Sequence, residues 1–155
     1  MKLTQNILVP TDFSASSLLA MGAARILASQ NDAKITLVHV MDPTPLTIGA
    51  PGLGSMTEAE IEPEVEARVH AELTRVREEQ LGDVDSVKTA LVISRNAADG
   101  IVHYADKEGV DMIVMADVLE HIGDLPRALA EVARVLKPGG TRSATVESAA
   151  KRPPL

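Results

Sequence analysis

The strongest constraint on the fold is a regular alternation of short apolar strands with helices. Residues 7–9 (Ile-Leu-Val) form an unbroken apolar run that is typical of a strand covered on both faces, and Pro10 should end it because proline has no N–H to donate. Three more strands are predicted at Lys34 to Val40, Val87 to Ile93 and Val110 to Ala116, with helices between them. Such alternation favours right-handed crossovers. The sequence therefore predicts an α/β fold, a single doubly wound parallel sheet of four to five strands with helices on both faces.

A turn rich in hydroxyl groups joins the first strand to the first helix. It reads Thr11-Asp12-Phe13-Ser14, and Ser14 is predicted to be the helix N-cap. The apolar residues at helical spacing that we expect to face the core are Leu18, Leu19, Gly22, Ala23, Ile26 and Leu27. A helix N-terminus behind a buried strand offers N–H groups and the positive end of a dipole to phosphate or carboxylate groups. The turn therefore either binds a ligand or only caps the helix, and capping is the commoner role of such residues.

Caps and breakers mark the next two helices. The second is predicted to begin at a capping box in residues 57–60 or at Pro63, and to end at Gly82. The third is predicted between Asn96, as its N-cap, and Gly109. A proline- and glycine-rich loop precedes the second helix and is interpreted as a flexible cover.

The C-terminal third is less regular. Asp124 is predicted to cap a last helix that stops at residues 138–140, Pro-Gly-Gly. Residues 1–140 would then form one domain, and residues 141–155 a weak edge strand followed by a tail that we expect to be disordered. His39 lies inside the second strand, where a half-buried structural role is the simplest interpretation.

Composition excludes several classes of function. The net charge of −7, with one Phe, one Tyr and no Trp, argues against nucleic-acid binding, which needs a basic face or aromatic stacking platforms. There is no cysteine, so disulfides, cysteine zinc sites and cysteine nucleophiles are excluded. No stretch is long and apolar enough to cross a bilayer. We therefore expect a protein of the cytoplasm, with neither membrane nor nucleic acid as a partner.

Roughly the first 116 residues resemble the universal stress protein family. The matching segments are Ile7-Leu-Val-Pro-Thr-Asp-Phe-Ser14, Leu37-Val-His-Val40, the helix from Asn96 to Gly109, and Val110-Asp-Met-Ile-Val-Met115. The resemblance implies a flavodoxin-like sheet and a cytoplasmic stress-response protein that is commonly a homodimer. Some members bind ATP, and the residues that the resemblance carries over as nucleotide-binding are Pro10, Thr11, Asp12, Val40 and Met115.

The segment after the fourth strand departs from that family. ATP-binding members continue with a glycine-rich signature, whereas this chain has no glycine between Gly123 and Gly139. Residues 117–140 are instead similar to the late segment of class I S-adenosylmethionine-dependent methyltransferases. Those enzymes need a glycine loop after their first strand, and residues 10–14 contain no glycine. Weak ATP binding is therefore predicted, S-adenosylmethionine is not expected as a cofactor, and the chain is interpreted as a stress-protein body with a methyltransferase-like C-terminal unit.

Three functions follow from these features. The leading one is a stress-response module, without catalytic residues, that binds an adenine nucleotide weakly where the first, second and fourth strands end. The alternatives are a methyltransferase-like protein and a ligand-free dimeric scaffold. Glu120 and His121 form an adjacent acid–histidine pair, but neighbours in sequence rarely point at one target, so a structural role is favoured. No metal site is predicted.

Overall fold

The computed structural model describes residues 4–43, 63–116, 130 and 145–147. Its strands are β1 Asn6–Pro10, β2 Lys34–Met41, β3 Val87–Ile93, β4 Met112–Ala116 and β5 Thr145–Glu147. All pairings are parallel, and the strand order is β3-β2-β1-β4-β5. This confirms the predicted α/β fold with a doubly wound parallel sheet.

The helices between the first four strands are α1 Ala15–Asn31, α2 Pro63–Leu81 and α3 Ala97–Lys107. The predicted N-caps of α1 and α3 are confirmed. The Ser14 side chain accepts a hydrogen bond from the N–H of Ser17, and the Asn96 side chain accepts one from the N–H of Asp99. Gly109 follows α3 with a φ of 63°, a conformation that glycine adopts without steric cost.

The winding of the chain reverses beside β1. From β1 the chain moves to β2 and then to β3 on one side of the sheet, and it returns from β3 to β4 on the other side. With right-handed crossovers, opposite directions of movement put the connecting helices on opposite faces. The crevice at the carboxyl ends of β1 and β4 is therefore the switch point at which sheets of this kind bind ligands.

Two apolar clusters cover the two faces of the sheet. The α1 and α2 side includes Ile7, Val9, Met21, Ala24, Ile35, Leu37, Leu73 and Val76. The α3 side includes Leu8, Val38, Ile101, Ala105, Val110 and Ile113. Alternate residues of β1 enter opposite clusters, as the pleat of a strand requires. The apolar run at the start of the chain is thus buried on both faces, and Leu8 and Val9 have no exposed surface.

The predicted core face of α1 is correct in part. Leu18, Ala23 and Leu27 are half-buried against the core, whereas Leu19, Gly22 and Ile26 are exposed. Buried on this helix are Ser17, Ala20, Met21, Ala24 and Ala28. By contrast, Leu19 and Ile26 are 67% and 59% exposed. Small side chains let the helix lie close to the sheet, so the alanine face packs inward and the two larger side chains are left outside. Apart from Met21 the fully buried residues are small, and for that reason apolar spacing alone placed the centre of the buried face too far toward Leu19 and Ile26.

Several other predictions need adjustment at their boundaries. The fourth strand begins at Met112 rather than Val110, because the N–H of Val110 bonds to the carbonyl of Ala105 at the exit of α3. The short edge strand is β5 and begins at Thr145. The capping box, the Glu120-His121 pair and most of the methyltransferase-like segment lie outside the described residues, although residue 130 is helical.

Candidate functional site

The turn from β1 into α1 lies at the switch point, together with the ends of β2 and β4. Pro10 is level with Val38 of β2, so Val40 extends two residues beyond the end of β1. On the other side Leu8 is level with Ile113, and the same register continued by two residues brings Met115 level with Pro10. The five residues that the sequence pointed to therefore come from three adjacent strand ends. Their role in binding stays a prediction.

The hydroxyl of Thr11 organises the turn. Thr11 is 5% exposed, and its Oγ1 lies 2.9 Å from Oγ of Ser17, which has no exposed surface. Ser17 Oγ donates its one hydrogen to the carbonyl of Ser14 at 2.8 Å, so Thr11 is the donor between the two hydroxyls. Thr11 Oγ1 also accepts the N–H of Phe13 at 3.0 Å. Both functions of the hydroxyl are therefore used inside the protein.

Asp12 lies on the solvent side of the turn. It is exposed, and its Oδ1 accepts the N–H of Ser14 at 2.9 Å. Ser14 in turn caps α1 through its own hydroxyl. One carboxylate oxygen is thus engaged in local capping, as the simpler interpretation of the sequence expects. Capping alone does not exclude ligand binding, because one carboxylate can accept about four hydrogen bonds.

Phe13 and His39 support the turn from the α1 side of the sheet. Phe13 has a φ of 65°, which is unusual for a bulky residue and costs about 1–3 kcal/mol that the surroundings must offset. Its ring lies 4.7 Å from the ring of His39, centroid to centroid. Nδ1 of His39 is 2.8 Å from the carbonyl oxygen of Thr11. Since a carbonyl only accepts, His39 is the donor and its Nδ1 carries a hydrogen.

Val40 and Met115 lie on the other face, beside α3. Both are half-buried against the cluster that contains Leu8 and Ile113. Gly100 of α3 approaches Val40 so closely that a Cβ at this glycine would lie 3.0 Å from Val40 Cγ1. The absence of a side chain at Gly100 therefore allows Val40 to pack closely against α3.

We call the turn at residues 10–14, together with Val40 and Met115, the β1–α1 corner. The sequence reasoning missed three residues that support this corner. These are Phe13, Ser17 and His39. The positive φ of Phe13 has no signature in composition or spacing, whereas His39 was noticed and interpreted as structural. Its position one residue before Val40, at the end of a strand next to β1, was the signal that could have linked it to the corner.

Two opposing charges lie at the N-terminus of α1. The first turn of the helix carries no acidic residue, so the positive end of its dipole is not neutralised from within the helix, but the Asp12 carboxylate lies beside it and bonds to the N–H of Ser14. Among the residues that the structure describes, no group of three or more His, Cys, Asp or Glu side chains could hold a metal ion. Within the same residues, no helix is both long and apolar enough to traverse a lipid bilayer.

A second concavity lies at the opposite end of the sheet. It is an open groove of about 1100 Å³, and the residues lining it include Asn6, Arg25, Lys34, Asp83 and Ser86. Arg25 and Asp83 already pair across it at 2.6 Å. Ligands of doubly wound sheets bind at the carboxyl ends of strands, so this groove is not where a nucleotide is expected.

The chain matches the sequence profile of the universal stress protein family over residues 4–133. The match continues past residue 116 and includes much of the segment that we interpreted as methyltransferase-like. Among curated proteins, no sequence matches the chain significantly.

Solved structures of universal stress proteins share the fold. One, crystallised with cAMP, is 22% identical with a TM-score of 0.59, the alignment covering 84% of this chain and 89% of that one. UspA from Lactobacillus plantarum is 21% identical with a TM-score of 0.60, covering 83% and 91%. A protein from Archaeoglobus fulgidus in complex with dAMP is 17% identical with a TM-score of 0.56, covering 86% and 92%.

Proposed function

Because the chain belongs to the universal stress protein family, we propose that it is a stress-response module that binds an adenine nucleotide weakly at the β1–α1 corner. The observation that carries the proposal is that Thr11, Asp12, Val40 and Met115 lie at the carboxyl ends of three adjacent strands, beside the switch point of the sheet. Structures of similar fold that were solved with cAMP and with dAMP support the class of ligand. We propose the cytoplasm as its compartment, in line with the resemblance to the family.

The corner has separate parts for the base and for the charged groups of a nucleotide. Val40 and Met115 are half-buried apolar side chains and suit a base, which needs apolar surface. The N-terminus of α1 suits a phosphate. Asp12 is exposed and suits the ribose hydroxyls or a metal ion carried by the phosphates.

We propose weak rather than tight affinity for ATP. No glycine lies between Gly123 and Gly139, so the backbone donors of the family's phosphate loop have no counterpart in sequence. A nucleotide would then depend on the α1 terminus and on the base-side contacts. Affinity should therefore change little between AMP, ADP and ATP.

Titration calorimetry and native mass spectrometry with ATP, ADP, AMP and S-adenosylmethionine test this function. Asp12→Asn keeps an oxygen that accepts the N–H of Ser14 but removes the charge. We expect this variant to unfold like the wild type and to bind nucleotide about tenfold more weakly, because hydrogen bonds to a charged group contribute about 1.5–3 kcal/mol. Asp106→Asn, an equally exposed change on α3, is the matched control and should bind like the wild type.

Other outcomes separate the alternatives. Binding of S-adenosylmethionine alone would contradict the proposal and favour the methyltransferase-like function of residues 117–140. A folded protein that retains none of these ligands would contradict it in favour of a ligand-free scaffold. Nucleotide binding that Asp12→Asn leaves unchanged would show that the ligand lies elsewhere.

A further inference from the structure

The carbonyl oxygen of Thr11 accepts a hydrogen bond from a side chain where a sheet would ordinarily supply a backbone donor. The N–H of Thr11 bonds to the carbonyl of Val38 at 2.9 Å. In a regular parallel ladder the next bond would run from the N–H of Val40 to the carbonyl of Thr11. The pairing of β1 with β2 ends before that bond, at Pro10 and Val38. Nδ1 of His39 lies 2.8 Å from the Thr11 carbonyl oxygen in its place.

The chain turns away from the sheet at this point in a strained conformation. Phe13 has a φ of 65°, which a bulky residue keeps only when its surroundings support it. Within the turn, the hydroxyl of Thr11 accepts the N–H of Phe13 at 3.0 Å. From β2, the ring of His39 lies 4.7 Å from the ring of Phe13, centroid to centroid, and the same ring donates to the Thr11 carbonyl. Strain that is held in this way is a reason to look for a function.

We propose that His39 is a positioning residue for nucleotide binding at the β1–α1 corner, an inference that rests on the function proposed above. By holding the Thr11 carbonyl, His39 ends the ladder one bond early. The N–H of Val40 is thereby kept out of the ladder, and the turn that carries Asp12 stays apart from the end of β2. Without the donor, the N–H of Val40 bonds to the Thr11 carbonyl and narrows the corner between its base part and its phosphate part.

The position of His39 suits this role. It directly precedes Val40, which the proposed function places against the base, and it bonds to the turn before α1, whose N-terminus suits the phosphate. Neighbouring residues of a strand point to opposite faces of the sheet. His39 therefore sets the distance between the two parts of the corner without taking space from the base.

Two substitutions separate the donor of His39 from its ring. His39→Phe keeps a ring against Phe13 but has no hydrogen to donate, whereas His39→Asn keeps an N–H at the place of Nδ1 and loses the ring. In NMR titrations with AMP, we expect His39→Phe to bind about five- to tenfold more weakly than the wild type. His39→Asn should keep most of the affinity. His70→Phe, the same exchange on an exposed part of α2, is the matched control and should bind like the wild type.

Hydrogen exchange at the Val40 amide distinguishes positioning from a merely structural role. In His39→Phe this amide should exchange more slowly than in the wild type, because it gains the Thr11 carbonyl as its acceptor. A residue that only stabilises the fold would instead lower the midpoint of urea unfolding when replaced, and the Val40 amide would be no better protected. We expect slower exchange and weaker binding with little change in the midpoint.

Three results would overturn the positioning role while the proposed function stands, because the wild type still binds AMP in each of them. These are a His39→Phe variant that binds as tightly as the wild type, a Val40 amide whose exchange does not slow in that variant, and a His39→Asn variant that binds as weakly as His39→Phe. A wild type that does not bind AMP at millimolar concentration would overturn the proposed function and, with it, the role of His39.

Discussion

Replacing Thr11 by valine removes the hydroxyl at the centre of the β1–α1 turn while keeping its shape. The change leaves the N–H of Phe13 without its acceptor and takes away the donor to Ser17 Oγ. An unsatisfied buried donor costs about 1–3 kcal/mol, and the partly buried N–H of Phe13 falls in the lower part of that range. The valine methyl group returns about 0.8 kcal/mol of apolar burial. Ser17 keeps its own bond to the Ser14 carbonyl, so its loss is small. We expect Thr11→Val to lower the free energy of unfolding by about 1 kcal/mol.

Urea unfolding followed by circular dichroism measures this loss. Thr74→Val is the matched control, because its hydroxyl bonds to the His70 carbonyl on an exposed face of α2. The control should change stability by less than about 0.5 kcal/mol. If Thr11→Val and Thr74→Val lowered the free energy of unfolding equally little, the hydrogen bonds of the Thr11 hydroxyl would not stabilise the turn. Our account of the turn would then be refuted.

Two further changes test other parts of the structure. Gly82→Ala should lower the free energy of unfolding by about 1–3 kcal/mol. A Cβ at this position would lie 2.5 Å from the Glu78 carbonyl oxygen, so the end of α2 would have to move. An unchanged midpoint of urea unfolding would contradict this prediction. The hydrogen bond to Glu108 raises the pKa of Lys88 above 10.5. When folding raises the pKa of a group, the protein gains stability at every pH below the pKa of the unfolded state. That stability is lost as the pH rises through the pKa of the folded state. Glu108→Gln should therefore lower the free energy of unfolding by less than about 1 kcal/mol near neutral pH and leave it unchanged in strong alkali. A loss that grew with pH in unfolding titrations would contradict this prediction.

The sheet was predictable because its signal is local and strong. An apolar run that ends in proline, together with caps and breakers at regular spacing, fixes the order of elements. Parallel pairing of the strands then puts their carboxyl ends, and with them Thr11 and Val40, at one edge of the sheet, whereas the strand at which the winding reverses is not fixed by the handedness of crossovers. These steps need no knowledge of side-chain contacts.

The orientation of α1 and the support of the corner were not predictable in the same way. Spacing alone does not say whether Leu19 or Ala20 faces the sheet, because that depends on how closely the helix packs. Likewise, the positive φ of Phe13 and the bond from His39 to the Thr11 carbonyl are tertiary features. They arise only once β2 lies beside β1.

The pairing of β1 with β4 also has a consequence for synthesis. At the amino end of β1, the carboxylate of Asp111 accepts a hydrogen bond from the N–H of Gln5, although the two residues are 106 positions apart. At 5–20 residues per second, the ribosome needs roughly 5–20 s to add the partner of that central strand. Until then one edge of the apolar strand is open to any other chain. The nascent protein should therefore be most prone to aggregate after β3 has emerged and before β4 has, and a chaperone that binds extended apolar segments would have its target in residues 6–10.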